Sequence, residues 1–202
     1  MIFRNAPIAP RGVIVGERKM MMNSLRSFCF RNTAGILVAL LATLPASSAV
    51  IYVKANATGN NSGTSWANAH TDLESAFNRS QLADEIWVAA GTYKPGGATP
   101  TRSSSFRIGF AGVPIYGGFA GTETAVSQRN PVTNITILSG EIGDPNTVAD
   151  NTYHVVTFLT PFGPPILDGF TITGGNANGT GNNAFGGGLL VDLAGGTYRN
   201  LV

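Results

Sequence analysis

The chain has 202 residues, of which 26 are glycine and only 12% are charged. Glycine weakens helix interiors and suits left-handed turns, so this composition favours a turn-rich β protein over a helical one. Six basic residues and one acidic residue precede Val50, a formal charge of +5, whereas seven basic and ten acidic residues follow, a charge of −3. The acidic remainder lacks the electrostatic footprint of a nucleic-acid-binding protein. The only cysteine, Cys29, precedes Val50, so the remainder of the chain can form no disulfide and has no thiol for metal binding or catalysis.

Residues 1–49 are predicted to be a leader that contains a secretory signal. Arg26 and Arg31 supply a basic region, residues 34–44 form an apolar core, and the small residues 47–49 allow cleavage after Ala49. A transmembrane anchor is the alternative, but a span needs about 20 apolar residues and this run is shorter. We therefore expect a secreted or cell-surface protein with no membrane span in the mature chain. Two translation starts remain open: Met1 and the run Met20–Met22.

One short amphipathic helix is predicted at residues 71–78. Thr71 and Glu74 have the spacing of a capping box, in which the two side chains satisfy free backbone N–H groups at the helix start. Leu73, Ala76 and Phe77 then fall on one face of the helix. The helix is well placed to close one end of a stack of strands.

Short strands between turns rich in Gly, Asn and Asp make up the rest of the prediction. They cover residues 50–53, 85–89, 113–116, 135–139, 153–158, 166–173, 189–191 and 198–202. Segments 167–175 and 196–202 are interpreted as equivalent strands on successive coils of a solenoid, because their offset of roughly 30 residues suits one coil. An antiparallel β-sandwich is the rival fold, although the two-residue hairpin turns that it favours are rare here.

Several motifs occur in an order that resembles bacterial secreted right-handed parallel β-helix proteins. The motifs are Ile-Tyr-Val at 51–53, Gly-Thr-Ser-Trp at 63–66, the run 84–93, the run 115–123, Ile-Leu-Ser-Gly at 137–140 and the run 167–175. Gly-Gly-Gly-Leu-Leu at 186–190 is similar to a repeat of chlamydial polymorphic outer-membrane proteins.

The resemblance implies an all-β, pectate-lyase-like fold with a short N-terminal capping helix. It divides the chain into a leader at 1–49, a cap with the first strands at 50–110, and β-helix coils at 111–202. Because the sequence stops at Val202, inside the predicted strand 198–202, we expect the coils to be incomplete. The family is mostly of unproven function and is regarded as adhesive or structural, while some proteins of the wider fold cleave polysaccharides.

The acids of the strand region are candidate ligands of Ca²⁺ and candidate catalytic groups of a polysaccharide lyase. They are Glu141, Asp144, Asp150, Asp168 and Asp192. The spacing of the first three differs from that of a calcium loop, so a turn at the surface is the preferred interpretation. Asp168 precedes Gly169, which favours a turn or backbone-capping role. We therefore predict no metal, no cofactor and no catalytic residue.

The two histidines, the glycine-rich segments and the aromatic residues also have structural explanations. His154 is expected in a strand and His70 at the helix entry, and residues 174–183 and 186–188 lack the Lys or Asp of phosphate and calcium loops. Seven aromatic residues could form a sugar-stacking face: Trp66, Trp87, Tyr93, Phe106, Phe110, Tyr116 and Phe119. Trp87 and Phe119 are predicted to be core, and the role of Tyr93 is left open.

The sequence thus predicts a non-catalytic surface or adhesive protein that binds through the side of the solenoid. A polysaccharide or the surface of a host or neighbouring cell is the expected partner. The alternative is a polysaccharide lyase or glycoside hydrolase on the same scaffold.

Overall fold

The computed structural model describes residues 48–109, 112–159, 166–192 and 196–202, so most of the predicted leader and Phe110 lie outside it. The regular secondary structure of the described part is mostly strand, with one α-helix, α1 (Leu73–Arg79), and two short 3₁₀ segments, Val126–Gln128 and Gly181–Ala184. The strands are β1 (Val50–Val53), β2 (Glu85–Ala89), β3 (Gly91–Tyr93), β4 (Phe106–Ile108), β5 (Pro114–Phe119), β6 (Thr136–Ser139), β7 (Val156–Leu159), β8 (Ile166–Asp168), β9 (Thr171–Thr173), β10 (Leu189–Asp192) and β11 (Thr197–Arg199).

The strands form three parallel sheets. Sheet 1 has the order β1-β2-β5-β8-β11, sheet 2 the order β3-β6-β9, and sheet 3 the order β4-β7-β10. The chain visits the sheets in a fixed cycle, so β2-β3-β4, β5-β6-β7 and β8-β9-β10 are three successive rounds. Every described strand pair is parallel, which excludes the antiparallel β-sandwich for this part of the chain.

Aliphatic residues at matching register positions build the core inside sheet 1. Ile51 is paired with Ile86, Ile86 with Ile115, and Ile115 with Leu167, and all four side chains are buried. Alternate residues of a strand point to opposite faces, so this register fixes which side chains face inward. Burial of each such side chain contributes about 1.5–3 kcal/mol to the free energy of unfolding.

Helix α1 begins two residues after the predicted start at 71 and ends one residue after the predicted end at 78, and its buried face is the predicted one, Leu73, Ala76 and Phe77. The predicted capping box is wrong. Asp72 is the N-cap, and its carboxylate accepts from the Ser75 backbone N–H (2.7 Å) and hydroxyl (2.9 Å). An aspartate caps at least as well as a threonine, and it directly precedes the first helical residue. Glu74 instead accepts from the Gly96 N–H at 3.0 Å, in the loop after β3.

The predicted strand at 166–173 is wrong in one respect, because it comprises two strands in different sheets. Gly169, at φ +87°, separates β8 of sheet 1 from β9 of sheet 2. A residue with a Cβ is strained in that conformation, and the glycine therefore marks the corner. Asn200, at φ +49°, ends β11 in the same way.

The segments 167–175 and 196–202 contribute neighbouring parallel strands of sheet 1, in which Leu167 and Tyr198 are register partners. The start of the predicted strand at 153 is wrong, because β7 begins only at Val156. The sequence interpretation also missed β3 and β4, which have three residues each.

Candidate binding surface

The outer face of sheet 1 carries one side chain from each of its five strands at a matching register position. The row is Tyr52, Trp87, Tyr116, Asp168 and Arg199. These residues alternate with the inward aliphatic row, so they lie on the opposite face of the sheet. Neighbouring strands lie about 4.8 Å apart, and the row therefore extends over roughly 20 Å. Its first three members are aromatic and its last two are charged.

The aromatic part of the row is covered by two further rings. Trp87 stacks on Phe119 with ring centroids 4.8 Å apart, and Trp66 contacts Tyr52 edge-on at 4.7 Å. Trp87 and Phe119 are buried, as predicted for core residues, but they pack in this outer cluster and not with the inward aliphatic residues. Trp66 and Tyr52 are only partly buried. This end of the row is thus a packed aromatic layer of which Trp66 and Tyr52 form the accessible part.

A loop after β5 holds Trp66 in place. The Trp66 indole N–H donates to the backbone oxygen of Glu123 at 2.9 Å. The Glu123 carboxylate accepts backbone N–H groups from Ala120, Gly121 and Thr122 at 2.6, 3.0 and 2.9 Å. Burial would raise the pKa of Glu123, but these donors outweigh it and the pKa is lowered. Glu123 therefore fills its own nest of N–H groups with a stable carboxylate.

In the charged part of the row, Asp168 forms an ion pair with Arg129, a residue of the loop after β5. Arg129 donates to the Asp168 carboxylate at 2.7 Å and to the backbone oxygens of Gly117 and Asp168 at 3.1 and 3.3 Å. The other carboxylate oxygen of Asp168 accepts from the Asn200 amide at 2.7 Å. Arg199 lies 3.8 Å from the same carboxylate, and its side chain is 58% exposed. Asp168 is therefore a fully engaged buried anion, and the Arg199 charge is only weakly neutralised.

A groove of about 720 Å³ runs beside this ion pair. It lies between the segment 126–135, strand β9 and the residues that follow β11. Most of its lining is apolar: Val126, Pro131, Val132, Ile135, Leu201 and Val202. The polar lining is Ser127, Arg129, Thr171 and Asn200. Arg129 connects the groove with the outer row, because it lines the groove and forms an ion pair with Asp168 of the row. Sequence reasoning missed both Arg129 and the groove, because nothing local marks a contact between residues 39 positions apart.

The other candidate acids are separate from this surface and are used within their own loop. Glu141 accepts from the Gly143 N–H (3.0 Å), Asp144 from the Asn146 N–H (2.9 Å), and Asp150 from the Asp144 N–H (2.7 Å). The second oxygen of Asp150 is buried without a hydrogen-bond partner. Across the described ranges, no three His, Cys, Asp or Glu side chains are grouped as metal ligands. The remaining candidate acid, Asp192, is the last residue of β10, and the structure does not describe its side chain.

The two histidines are buried in different places. The His154 ring nitrogens lie 3.1 Å from the Gly186 backbone oxygen and 3.3 Å from the Asn183 side-chain oxygen. His70 forms a parallel β-bridge with Val53 of β1. Its ring lies against Gly63, where a Cβ would come within 2.5 Å of it. Burial, with a smaller effect of Arg79, lowers the pKa of His70 although Asp72 opposes this. The Asp72 carboxylate that influences His70 is itself engaged as the N-cap of α1, by the Ser75 backbone N–H and hydroxyl.

The glycine-rich segment after β9 is tied to the two preceding rounds by Arg102. The Arg102 guanidinium donates to the backbone oxygens of Asn151 (2.9 Å) and Asn176 (3.0 Å) and to the side chain of Asn178. It also lies 4.1 Å from the centroid of the Tyr153 ring. One side chain thus joins loops from three successive rounds, a structural use of a segment that contains no phosphate or calcium motif.

Tyr93 and Phe106 are structural. The Tyr93 hydroxyl donates to the Ala89 oxygen (3.0 Å) and accepts from the Ala55 N–H (3.2 Å), and burial raises its pKa to about 12. Phe106 is fully buried in the core. Neither side chain contributes to an outer aromatic face.

Comparison with known proteins does not assign a family. No family model, curated protein or solved structure matches this chain. In the part of the chain that the structure describes, no helix is long and apolar enough to cross a membrane.

Proposed function

We propose that the exported part of this chain is a right-handed parallel β-helix closed at its N-terminal end by α1. The cyclic order of the three parallel sheets supports this, because successive rounds stack strand on strand. Parallel strands joined by a crossover connection are right-handed in about 98% of cases, which favours the right hand here. Residues 63–70 hydrogen-bond to the outer edge of β1, and α1 packs against β1 and β4, as a cap requires.

We propose further that the protein is a non-catalytic, secreted or surface-bound binding protein. The observation that carries this proposal is the outer row of sheet 1, in which Tyr52, Tyr116 and Arg199 are accessible on one lateral face and are separated by the buried Trp87 and Asp168. Contacts along such a surface are individually weak and add up with length. A polysaccharide or a cell surface, which repeats its chemistry, suits a surface of this kind.

The use of the acids argues against the lyase or hydrolase alternative. Catalysis needs a base and a carboxylate within hydrogen-bond reach of one substrate position. In the described residues, Glu141, Asp144 and Asp150 serve one loop, and Asp168 is neutralised by Arg129. Each of these carboxylates thus has a partner within the chain.

Binding of the full chain to polysaccharides and to intact cells tests the proposal. We expect retention on at least one such surface, and Tyr116→Ala together with Arg199→Gln to weaken it. Arg107→Gln is the matched control, because Arg107 is also an exposed arginine of a strand but belongs to sheet 3. Release of unsaturated products from pectate or alginate, lost on Asp168→Ala, would instead establish a lyase.

A further inference from the structure

The outer face of sheet 1 carries a further carboxylate, Glu85, beside the outer row. Glu85 precedes Trp87 by two positions on β2, so both side chains point to the same face. The Trp87 indole N–H donates to one Glu85 carboxylate oxygen at 2.9 Å. Trp87 is buried and Glu85 only partly so, and the indole therefore orients an accessible carboxylate. Within the described residues, the second oxygen of Glu85 accepts no hydrogen bond, and no Lys or Arg nitrogen lies within 4 Å of the carboxylate.

Two accessible tyrosines flank this carboxylate. Tyr52 on β1 and Tyr116 on β5 are both register partners of Trp87, and β2 lies between their strands. The tyrosines are therefore two strands apart, roughly 10 Å, with Glu85 at a diagonal position to each. Burial raises the pKa of the Tyr116 hydroxyl, and Glu85 is the charged group that raises it most. The hydroxyl thus lies near the carboxylate and remains a hydrogen-bond donor.

The charges of this face are balanced. The face and the loop after β5 carry three carboxylates and three cations, namely Glu85, Glu123, Asp168, Lys54, Arg129 and Arg199. Asp168 is engaged by Arg129 and Asn200, and Glu123 by three backbone N–H groups. Of the three carboxylates, Glu85 alone keeps an oxygen without a hydrogen bond from the described residues. A polymer of either charge gains little from such a face, whereas a neutral ligand rich in hydroxyl groups can donate to Glu85.

We propose that the outer face of sheet 1 binds an uncharged glycan whose neighbouring ring hydroxyls donate to Glu85, between Tyr52 and Tyr116. A carboxylate only accepts hydrogen bonds, and bonds to an ionised acceptor are roughly twice as strong as those between neutral groups. The aromatic side chains on both sides supply apolar contact for the sugar rings. This inference rests on the proposed function, because it names the class of ligand for the same surface.

Calorimetry on the full chain with neutral, anionic and cationic hexasaccharides tests the proposal. The neutral probes are cellohexaose and mannohexaose, and the charged probes are hexagalacturonate and the glucosamine hexamer. We expect saturable binding of at least one neutral probe and weaker binding of both charged ones. Glu85→Gln keeps an acceptor for the Trp87 indole but should weaken neutral binding about tenfold, because hydrogen bonds to a charged group are lost. Tyr116→Phe should weaken it about fivefold.

A chemical control and a matched variant accompany these measurements. Periodate oxidation followed by borohydride reduction removes the neighbouring ring hydroxyls and leaves the neutral probes uncharged, so the treated probes should not bind. Glu141→Gln should leave binding unchanged, since Glu141 is also a partly buried carboxylate but lies in the loop after β6. Unchanged circular dichroism spectra and melting temperatures establish that the variants fold.

The outcomes separate this inference from the proposed function. A charged hexasaccharide that binds more tightly than both neutral probes would overturn the inference and leave the lateral binding surface in place. Undiminished binding after periodate treatment, or equal losses in Glu85→Gln and Glu141→Gln, would do the same. Absence of binding to all four probes would also overturn the inference, whereas the proposed function fails only if the chain is not retained on polysaccharides or intact cells either.

Discussion

The carboxylate of Asp168 and the guanidinium of Arg129 are in direct contact at 2.7 Å, with both side chains nearly excluded from solvent (5% and 12% exposed). Removing one member of a buried pair leaves the other charge without compensation. We therefore expect Asp168→Ala to lower the free energy of unfolding by about 3 kcal/mol. Urea denaturation measures this.

The same pair allows a second test of that explanation. Arg129→Met combined with Asp168→Leu removes both charges and should be less destabilised than Asp168→Ala alone. Arg199→Gln should change the stability by less than about 0.5 kcal/mol, because Arg199 is exposed. A double variant as unstable as the sum of its single variants would contradict the ion-pair explanation.

Arg102 is predicted to hold three loops together. Arg102→Lys keeps the positive charge but cannot reach the Asn151, Asn176 and Asn178 oxygens at once, because it lacks the planar fork of donors. We expect a loss of about 1–3 kcal/mol and faster hydrogen exchange near residues 151 and 176–178. Arg107→Lys, at an exposed arginine of β4, should alter neither quantity. Exchange that rises equally in both variants would exclude the proposed role.

The stability of the cap should depend on pH through His70. Because burial lowers the pKa of His70 in the folded protein below its ordinary value of 6.5, the unfolded chain binds the proton more readily. Stability is therefore complete above about pH 6.5 and falls as the pH decreases through that value, until the folded-state group is also protonated. Thermal melts between pH 8 and 5 should show a smaller acid-induced decrease for His70→Gln than for the wild type. An acid-induced decrease of equal size in His70→Gln and in the wild type would contradict this assignment.

Glu74 gives the opposite dependence. Burial raises its pKa above 4.5, although the Gly96 N–H lowers it, so the folded state holds the proton more tightly than the unfolded chain. The stabilising contribution of protonated Glu74 to the free energy of unfolding is fully present below the unfolded-state pKa. It is lost as the pH rises through the folded-state pKa. Glu74→Gln keeps an oxygen acceptor for Gly96 and should be at least as stable as the wild type at pH 7, whereas Glu74→Ala should be less stable. A Glu74→Gln variant as destabilised at pH 7 as Glu74→Ala would contradict this explanation.

Local patterns were sufficient to predict the parts of the fold that local chemistry determines. The alternation of Ile51 and Tyr52, and of Ile86 and Trp87, predicts strands directly, and the apolar face of α1 follows from its spacing. The strands β3 and β4 were missed because three residues are too few to show a period. Phe119 was interpreted correctly as buried, but the face on which it packs depends on Trp66, which lies more than fifty positions away.

The candidate surface was largely hidden from the sequence. The sequence identifies Trp66, Trp87 and Tyr116 as candidates for an aromatic face, but the pairing of Trp87 with Tyr116 depends on the register between rounds. Asp168 was interpreted as a turn residue because Gly169 follows it, and that glycine does form a corner. The neighbourhood of Arg129 and Arg199 arises only when β5, β8 and β11 are aligned, which no short motif specifies.

The register of sheet 1 tolerates very different connection lengths. Ile86 and Ile115 are aligned across 29 positions, and Ile115 and Leu167 are aligned across 52. Doubling the length of a flexible loop costs only about 0.6 kcal/mol, so a longer connection disturbs the aligned core little. The strand geometry therefore repeats although the connections differ in length, and peptides inserted into the exposed loop at 144–148 should be displayed without a change in the strands that support them.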